Sequence, residues 1–355
     1  MHDGHCVSPD MPKSAQLLLA APQDYIEATI GYLDDVSAEE RRKEETLICD
    51  VERAVKLPFP QAKIYTFGSR ASGTSSPDSD IDLFLDYGNM YDGNESSKDR
   101  TMAFITSVHL CLSKDTQCWE TVQLSTNIQA NVPVIRAQHR ATGLFCNMSF
   151  DNGLGVENTK LIKLMNDLFP ECRKLILFLK QWLAFCDLSG SEGISSYAIS
   201  WHVIFSLQKQ SHLPSIATLM KTKRSSHSIA GWEVGVSDQP SHNPELRRPS
   251  FKELLIWFFA FYASFDYRYD VVCPLLGDAM KKRAFVDPQN LPKKMGAYVA
   301  HMRNSDDPEP FRIDSSMCIQ DPFDLQHNLT KDVSKVCLSR FRIYCAKSRD
   351  LLCKS

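Results

Sequence analysis

The chain has 355 residues, of which 43% are hydrophobic, and a formal net charge of −3. That length exceeds one ordinary core and predicts two domains, while the near-neutral charge excludes a broad basic coat that would hold nucleic acid by charge alone. The 12 cysteines lack CxxC pairs and histidines at zinc spacing, which excludes a zinc finger and a disulfide framework.

These cysteines are expected to be reduced thiols, in the cytoplasm or alternatively the nucleus. No apolar run reaches membrane-spanning length, and Leu17 to Ala21 is too short for a signal-peptide core. Residues 1–13 lack periodicity and are expected to form a disordered leader. A helix is predicted from Gln23 to Leu33, and Ser37 with Glu40 predicts a capping box that opens a second helix toward Val55, ended by Pro58 and Pro60. Short β-type runs follow at 63–67, 80–86, 132–136 and 144–150, with a helical stretch at 100–112, which together predict a small mixed α/β domain. After Asn158 helical periods dominate, at 161–168, 172–185, 196–207 and 251–261. The segment from Lys221 to Ser250, rich in Ser, Lys, Arg, His and Pro around an isolated Trp232, is expected to be an exposed excursion inside the second domain.

The most informative stretch joins Phe67-Gly68-Ser69-Arg70 to Ser79-Asp80-Ile81-Asp82-Leu83. Asp80 and Asp82 are two apart in a predicted strand, so both carboxylates leave one face while Ile81 and Leu83 point into a core. Gly68 and Ser69 supply a tight turn whose N–H groups and hydroxyl can meet phosphate oxygens. The pairing suits a metal-bound nucleoside triphosphate. An EF-hand is excluded, because Asp78, Asp80 and Asp82 lack the following glycine and closing glutamate, and no Gly-Lys-Ser/Thr end makes a P-loop.

The segment resembles the signature of the DNA polymerase β-like nucleotidyltransferases. With Glu157-Asn158-Thr159, Ser195-Ser196-Tyr197 and Gln320-Asp321-Pro322-Phe323-Asp324-Leu325-Gln326-His327-Asn328 following in order, the chain resembles the non-canonical poly(A) polymerases and terminal uridylyltransferases. The resemblance implies an α+β fold: a catalytic domain with a small mixed sheet (58–155) and a mainly helical central domain with a PAP-associated region (156–355), onto which N-terminal helices (14–57) pack. It implies template-independent nucleotide addition to an RNA 3′ end with Mg²⁺ or Mn²⁺, held by three carboxylates. Asp80 and Asp82 match the first two. The third position is Asn147, whose neutral amide is a weaker ligand for a hard cation and a poorer proton acceptor. Asp151 falls on the same strand face, but four residues of strand is about 13 Å, too far without a bulge.

The resemblance also assigns nucleotide contacts. Lys180 matches a lysine that reaches the triphosphate, while the basic residue usual one turn later is Ala184. Asn158 and Thr159 match contacts to ribose and phosphates, with a helix cap as the structural alternative, and Asn152 is expected to assist at the sugar. Tyr197 matches the aromatic that stacks on the base, with Ser196 near the phosphates. In the family, a histidine at the position of His327 crowds adenine and contacts uracil, and Asp321 and Asp324 are placed to hydrogen-bond nearby. UTP is therefore expected over the alternative, ATP. Asn147 leaves open an active but weakened enzyme, a binding-only relative and a substitution introduced to trap substrate. Without an appended RNA-binding domain or basic tract, RNA choice is expected to come from a shallow groove or a protein partner.

Overall fold

The computed structural model describes residues 10–76, 78–93, 98–125, 133–221, 226–237, 249–305 and 308–354. In chain order its elements are α1 (Lys13–Ala20), α2 (Pro22–Lys56), β1 (Lys63–Phe67), α3 (Gly68–Ser72), β2 (Ile81–Asp86), α4 (Lys98–Lys114), β3 (Trp119–Ser125), β4 (Val134–His139) and β5 (Phe145–Ser149). There follow α5 (Leu154–Leu168), α6 (Pro170–Phe185), α7 (Ser196–Lys209), α8 (Ile216–Lys221), β6 (Ser228–Ile229), β7 (Trp232–Glu233), α9 (Phe251–Ser264), β8 (Asp270–Val271), β9 (Met280–Lys281), α10 (Gly296–Asn304) and α11 (Lys335–Lys354). The fold is α+β, and the chain divides into a sheet unit, Ile30–Leu164 with Arg224–Gly235, and a helical unit made of the rest.

In the sheet unit five strands lie in the order β1-β2-β5-β4-β3, with β2 and β5 parallel and the other neighbours antiparallel. Alternation decides what each face carries. Ile81, Leu83, Cys146, Met148, Ile135 and Ala137 are buried in a core with Phe104, Ile105, Val108 and Leu112 of α4. The intervening residues Asp82, Asn147 and Arg136 are partly or fully exposed.

Three expectations about chain organisation need correction. The expected break near Ser37 is absent, because α2 runs unbroken through 35 residues. The Ser37 hydroxyl donates back to the Asp34 carbonyl at 2.8 Å, and Glu40 pairs with Lys43 and Arg70, so neither side chain caps anything. The segment 14–57 does not belong to the helical unit as a whole. Leu47, Val51 and Val55, spaced at i, i+4 and i+8, pack into the sheet core, and the boundary expected near 155 falls within α5, after Leu164. Residues 226–235 belong to the sheet unit: Trp232 and Ile229 are buried in the β6–β7 hairpin, and the Ala230 N–H donates to the Asp92 carbonyl at 2.9 Å. Of the remaining predicted excursion, 222–225 and 238–248 lie outside the described residues, as do residues 1–9 of the expected leader. Met11, within that leader, is buried and accepts a hydrogen bond from Gln16 Nε2.

The helical unit is built on aromatic packing. Trp182 of α6 meets Phe259 of α9 and Phe341 of α11, and its indole N–H donates to Ser348 Oγ at 3.1 Å. His202 of α7 lies in the same core, with Nδ1 at the Ala198 carbonyl (3.0 Å) and Nε2 at the Tyr267 hydroxyl (2.9 Å), and burial pushes its pKa down to about 3 from 6.5. The folded unit therefore resists a proton that the unfolded chain accepts, so this contribution is complete above pH 6.5 and is lost as the pH falls toward 3. Lowering the pH from 7 to 5 should cost the chain about 2 kcal/mol more than a His202→Gln variant. Urea unfolding of both chains at the two pH values checks this, and parallel losses would refute it. The described cysteines are all free, and no helix among the described residues is long and apolar enough to cross a membrane.

Candidate active site

The sheet unit gathers its polar residues at the C-terminal end of β1 and the start of β2. Gly68 adopts φ +78°, open to glycine at little cost, and a Cβ there would lie 2.1 Å from Asp82 Oδ2. Its N–H donates to Thr159 Oγ1 at 2.9 Å, and that hydroxyl donates in turn to the Gly155 carbonyl at 2.8 Å, so α5 fixes the turn. The Ser69 carbonyl accepts from the Thr74 N–H, while its hydroxyl has no hydrogen-bond partner among the described residues. Arg70, nearly buried, donates from Nε to the Ser79 carbonyl at 2.8 Å and so ties α3 to the loop that delivers Asp80.

Asn147 stands in register with Asp82 across the parallel pair. Its Nδ2 donates to Asp80 Oδ2 and to Asp82 Oδ1, both at 3.2 Å. Burial raises the Asp82 pKa, donation from Asn147 opposes that shift, and the neighbouring Asp80 adds to it. Asp80 also meets Arg136 Nη2 at 3.2 Å, a contact that sequence reasoning missed. Alternation puts Arg136 opposite Ile135, but only the β4–β5 register brings it beside Asn147. Asp151 lies exposed beyond the end of β5, and among the described residues no group of three or more His, Cys, Asp and Glu is placed to hold a metal ion.

The other expected residues of this unit lie on α5 or just before it. Asn152 accepts the Leu154 N–H at 2.9 Å, the bond of a residue opening a helix, so its carbonyl oxygen is engaged at α5. Asn158 and Thr159 are buried well inside α5, and neither caps it, contrary to the structural alternative.

The helical unit holds a second cluster. Ser195 caps α7 by accepting the Ala198 N–H at 3.1 Å, which fixes the exposed Ser196 and the half-buried Tyr197 in the first turn. The Tyr197 hydroxyl donates to Asp321 Oδ2 at 2.9 Å, and its ring packs edge-on to Trp201. Burial, then the Asp321 charge, raises the Tyr197 pKa, so the phenol keeps its proton. Asp321 Oδ1 accepts the N–H groups of Phe323 and Asp324, both at 2.9 Å. The loop closes where the Asp321 N–H donates to the His327 carbonyl and the His327 N–H to the Asp324 carbonyl. Asn328 anchors it from below, with Nδ2 on the Arg312 carbonyl and Oδ1 accepting the Ile319 and Thr330 N–H groups. His327 is exposed, and its imidazole makes no hydrogen bond among the described residues. Lys180 lies half-buried on α6, where burial lowers its pKa.

Two family models match the chain in sequence order. A poly(A) RNA polymerase, mitochondrial-like, central palm domain matches residues 29–167, and a Cid1 family poly A polymerase model matches residues 250–327. The speckle targeted PIP5K1A-regulated poly(A) polymerase of Danio rerio is 23% identical, covering 89% of this chain and 44% of its own length. The chain spans about a quarter to a half of the curated relatives it matches. In fold it is similar to mtPAP in complex with UTP (TM-score 0.70, 22% identity, 86% of this chain and 62% of that one). It is likewise similar to the Cid1 poly(U) polymerase with MgGTP bound (TM-score 0.70, 21% identity, 92% of this chain and 94% of that one). With both models matched in order, the chain belongs to the family of non-canonical poly(A) polymerases and terminal uridylyltransferases.

Proposed function

We propose that the chain binds UTP with a divalent cation and transfers uridylate to an RNA 3′ hydroxyl without a template, at a rate held low by Asn147. The observation that carries this reading is the convergence of Asp80 and Asp82 on a single amide nitrogen, beside a glycine whose missing Cβ leaves Asp82 its room. Two carboxylates are hard oxygen donors that fit Mg²⁺ or Mn²⁺, and Asp80 and Asp82 would hold it. When bound, the ion would supply positive charge for the triphosphate and its leaving pyrophosphate. The chain's own residues do the rest. Thr159 orients the Gly68 turn, the Ser69 hydroxyl is available to a phosphate oxygen, and Lys180 carries positive charge for the triphosphate. Tyr197, its hydroxyl fixed by Asp321, offers a ring of defined orientation for a base to stack on.

Asn147 supports a second reading, binding with little turnover. It keeps both carboxylates in place by donating to them but has no charge with which to accept the proton of an attacking hydroxyl. Titrating UTP with and without Mg²⁺ tests the shared part of both readings. Binding should require Mg²⁺ and should be lost on changing Asp80 and Asp82 together to Ala; undiminished binding in that double variant would refute the site.

The choice of UTP rests on His327, an exposed imidazole on a rigidly bonded loop. His327→Ala should raise ATP affinity relative to UTP by about tenfold, the scale of one lost steric or hydrogen-bond discrimination. Competition binding with both nucleotides measures the ratio, and an unchanged value would favour the poly(A)-adding alternative with selection elsewhere.

A further inference from the structure

Three adjacent strands of the sheet unit carry one polar row: Asp82 on β2 is in register with Asn147 on β5, and Asn147 with Arg136 on β4. Registered neighbours share a sheet face and stand about 5 Å apart, within reach of a long side chain. Arg136 uses that reach. Its Nη2 lies 3.2 Å from Asp80 Oδ2, the same oxygen that accepts from Asn147 Nδ2. The guanidinium also sits over the Phe145 ring, 4.6 Å from its centroid, which orients it along the sheet. An amide and a cation thus occupy an oxygen through which a divalent ion would be held. Two carboxylates and one guanidinium leave a single net negative charge, where a third carboxylate at 147 would have left two.

We propose that Arg136 is a built-in counter-ion that competes with the divalent cation for Asp80. The site then takes up metal poorly by itself and takes it up together with nucleotide, whose triphosphate draws the guanidinium off Asp80. The inference rests on the nucleotide-binding reading above and adds a residue that tunes its metal requirement. The driving force is charge: a triphosphate offers a guanidinium several anionic oxygens in forked geometry, a better partner than one shared carboxylate oxygen.

The test is Mn²⁺ binding to the full chain without nucleotide, read by electron paramagnetic resonance of the free ion. Arg136→Gln should bind Mn²⁺ about tenfold more tightly than the unaltered chain, the scale expected for removing one positive charge a few Å from a divalent ion near a surface. Asp80→Ala in that background should abolish the gain, and saturating UTP should narrow the gap between the unaltered chain and Arg136→Gln. Arg136→Lys, which keeps the charge, should keep the weak binding. Equal affinities in the unaltered and Gln chains, or an equal rise in the Lys and Gln chains, would overturn the proposal. Mg²⁺-dependent UTP binding that still needs Asp80 and Asp82 while Arg136→Gln changes nothing would overturn this inference alone. UTP binding indifferent to those aspartates would overturn the functional reading instead.

Discussion

An Asn147→Asp variant is expected to extend a short RNA at least about a hundredfold faster than the unaltered chain, with little change in UTP affinity, because a charge that acts in the transition state commonly carries that much rate. The geometry gives the reason. Residue 147 sits in register with Asp82 and within 3.2 Å of both carboxylates, so an aspartate there would complete a three-carboxylate set on one face of the sheet. The amide instead donates to its neighbours, the reverse of what a base or a metal ligand does. A second readout separates this charge effect from repair of the fold. Three carboxylates crowded without metal repel, so the Asp variant should melt lower than the unaltered chain without Mg²⁺ and recover more on its addition. If the unaltered chain already extends RNA at the rate of the Asp variant, Asn147 is no bottleneck. Another base must then act, and the obvious substitute, Asp151, lies exposed past the end of β5.

Much of the sheet unit was legible in the sequence, because strand alternation is a local rule. Ile81 and Leu83 are buried and Asp82 is not, as period two requires, and β1 falls at the predicted residues. What escaped depended on partners distant in the chain. Arg136 gains its meaning only from strand register, and β3, an edge strand with a register shift after Trp119, alternates only over 121–125 and half-buries its apolar residues Val122 and Leu124. Ser37 and Glu40 fit a capping pattern, yet nothing in 34–40 breaks a helix, so α2 continues and its later residues join the sheet core. Trp232 looked isolated in a polar segment because its packing comes from a hairpin closed at Ala230 and Gly231 and bonded to residue 92. In the helical unit the motif residues are linked through Tyr197 and Asp321, 124 positions apart, a bond that no local pattern encodes.

Gly68→Ala should remove most of the activity of the Asn147→Asp enzyme, by about a hundredfold or more, the penalty for displacing a reacting group by about 1 Å. Two effects act at this position and can be separated. The first is conformational: at φ +78° a Cβ is strained, at a cost of about 1 kcal/mol of stability. The second is steric: the new Cβ would lie 2.1 Å from Asp82 Oδ2 and 3.0 Å from its Cγ, so the carboxylate must leave its place beside Asn147 or the turn must release Thr159. Gly143 isolates the first effect, since it has φ +72° and nothing within 4 Å of its would-be Cβ. Gly143→Ala should therefore lose a similar amount of stability and keep its activity, whereas Gly68→Ala should also lose Mg²⁺-dependent UTP binding. Equal losses of activity in the two variants would assign the effect to backbone strain. Full activity in Gly68→Ala would mean that the carboxylate of Asp82 works from a different position than the one it holds against the Gly68 turn.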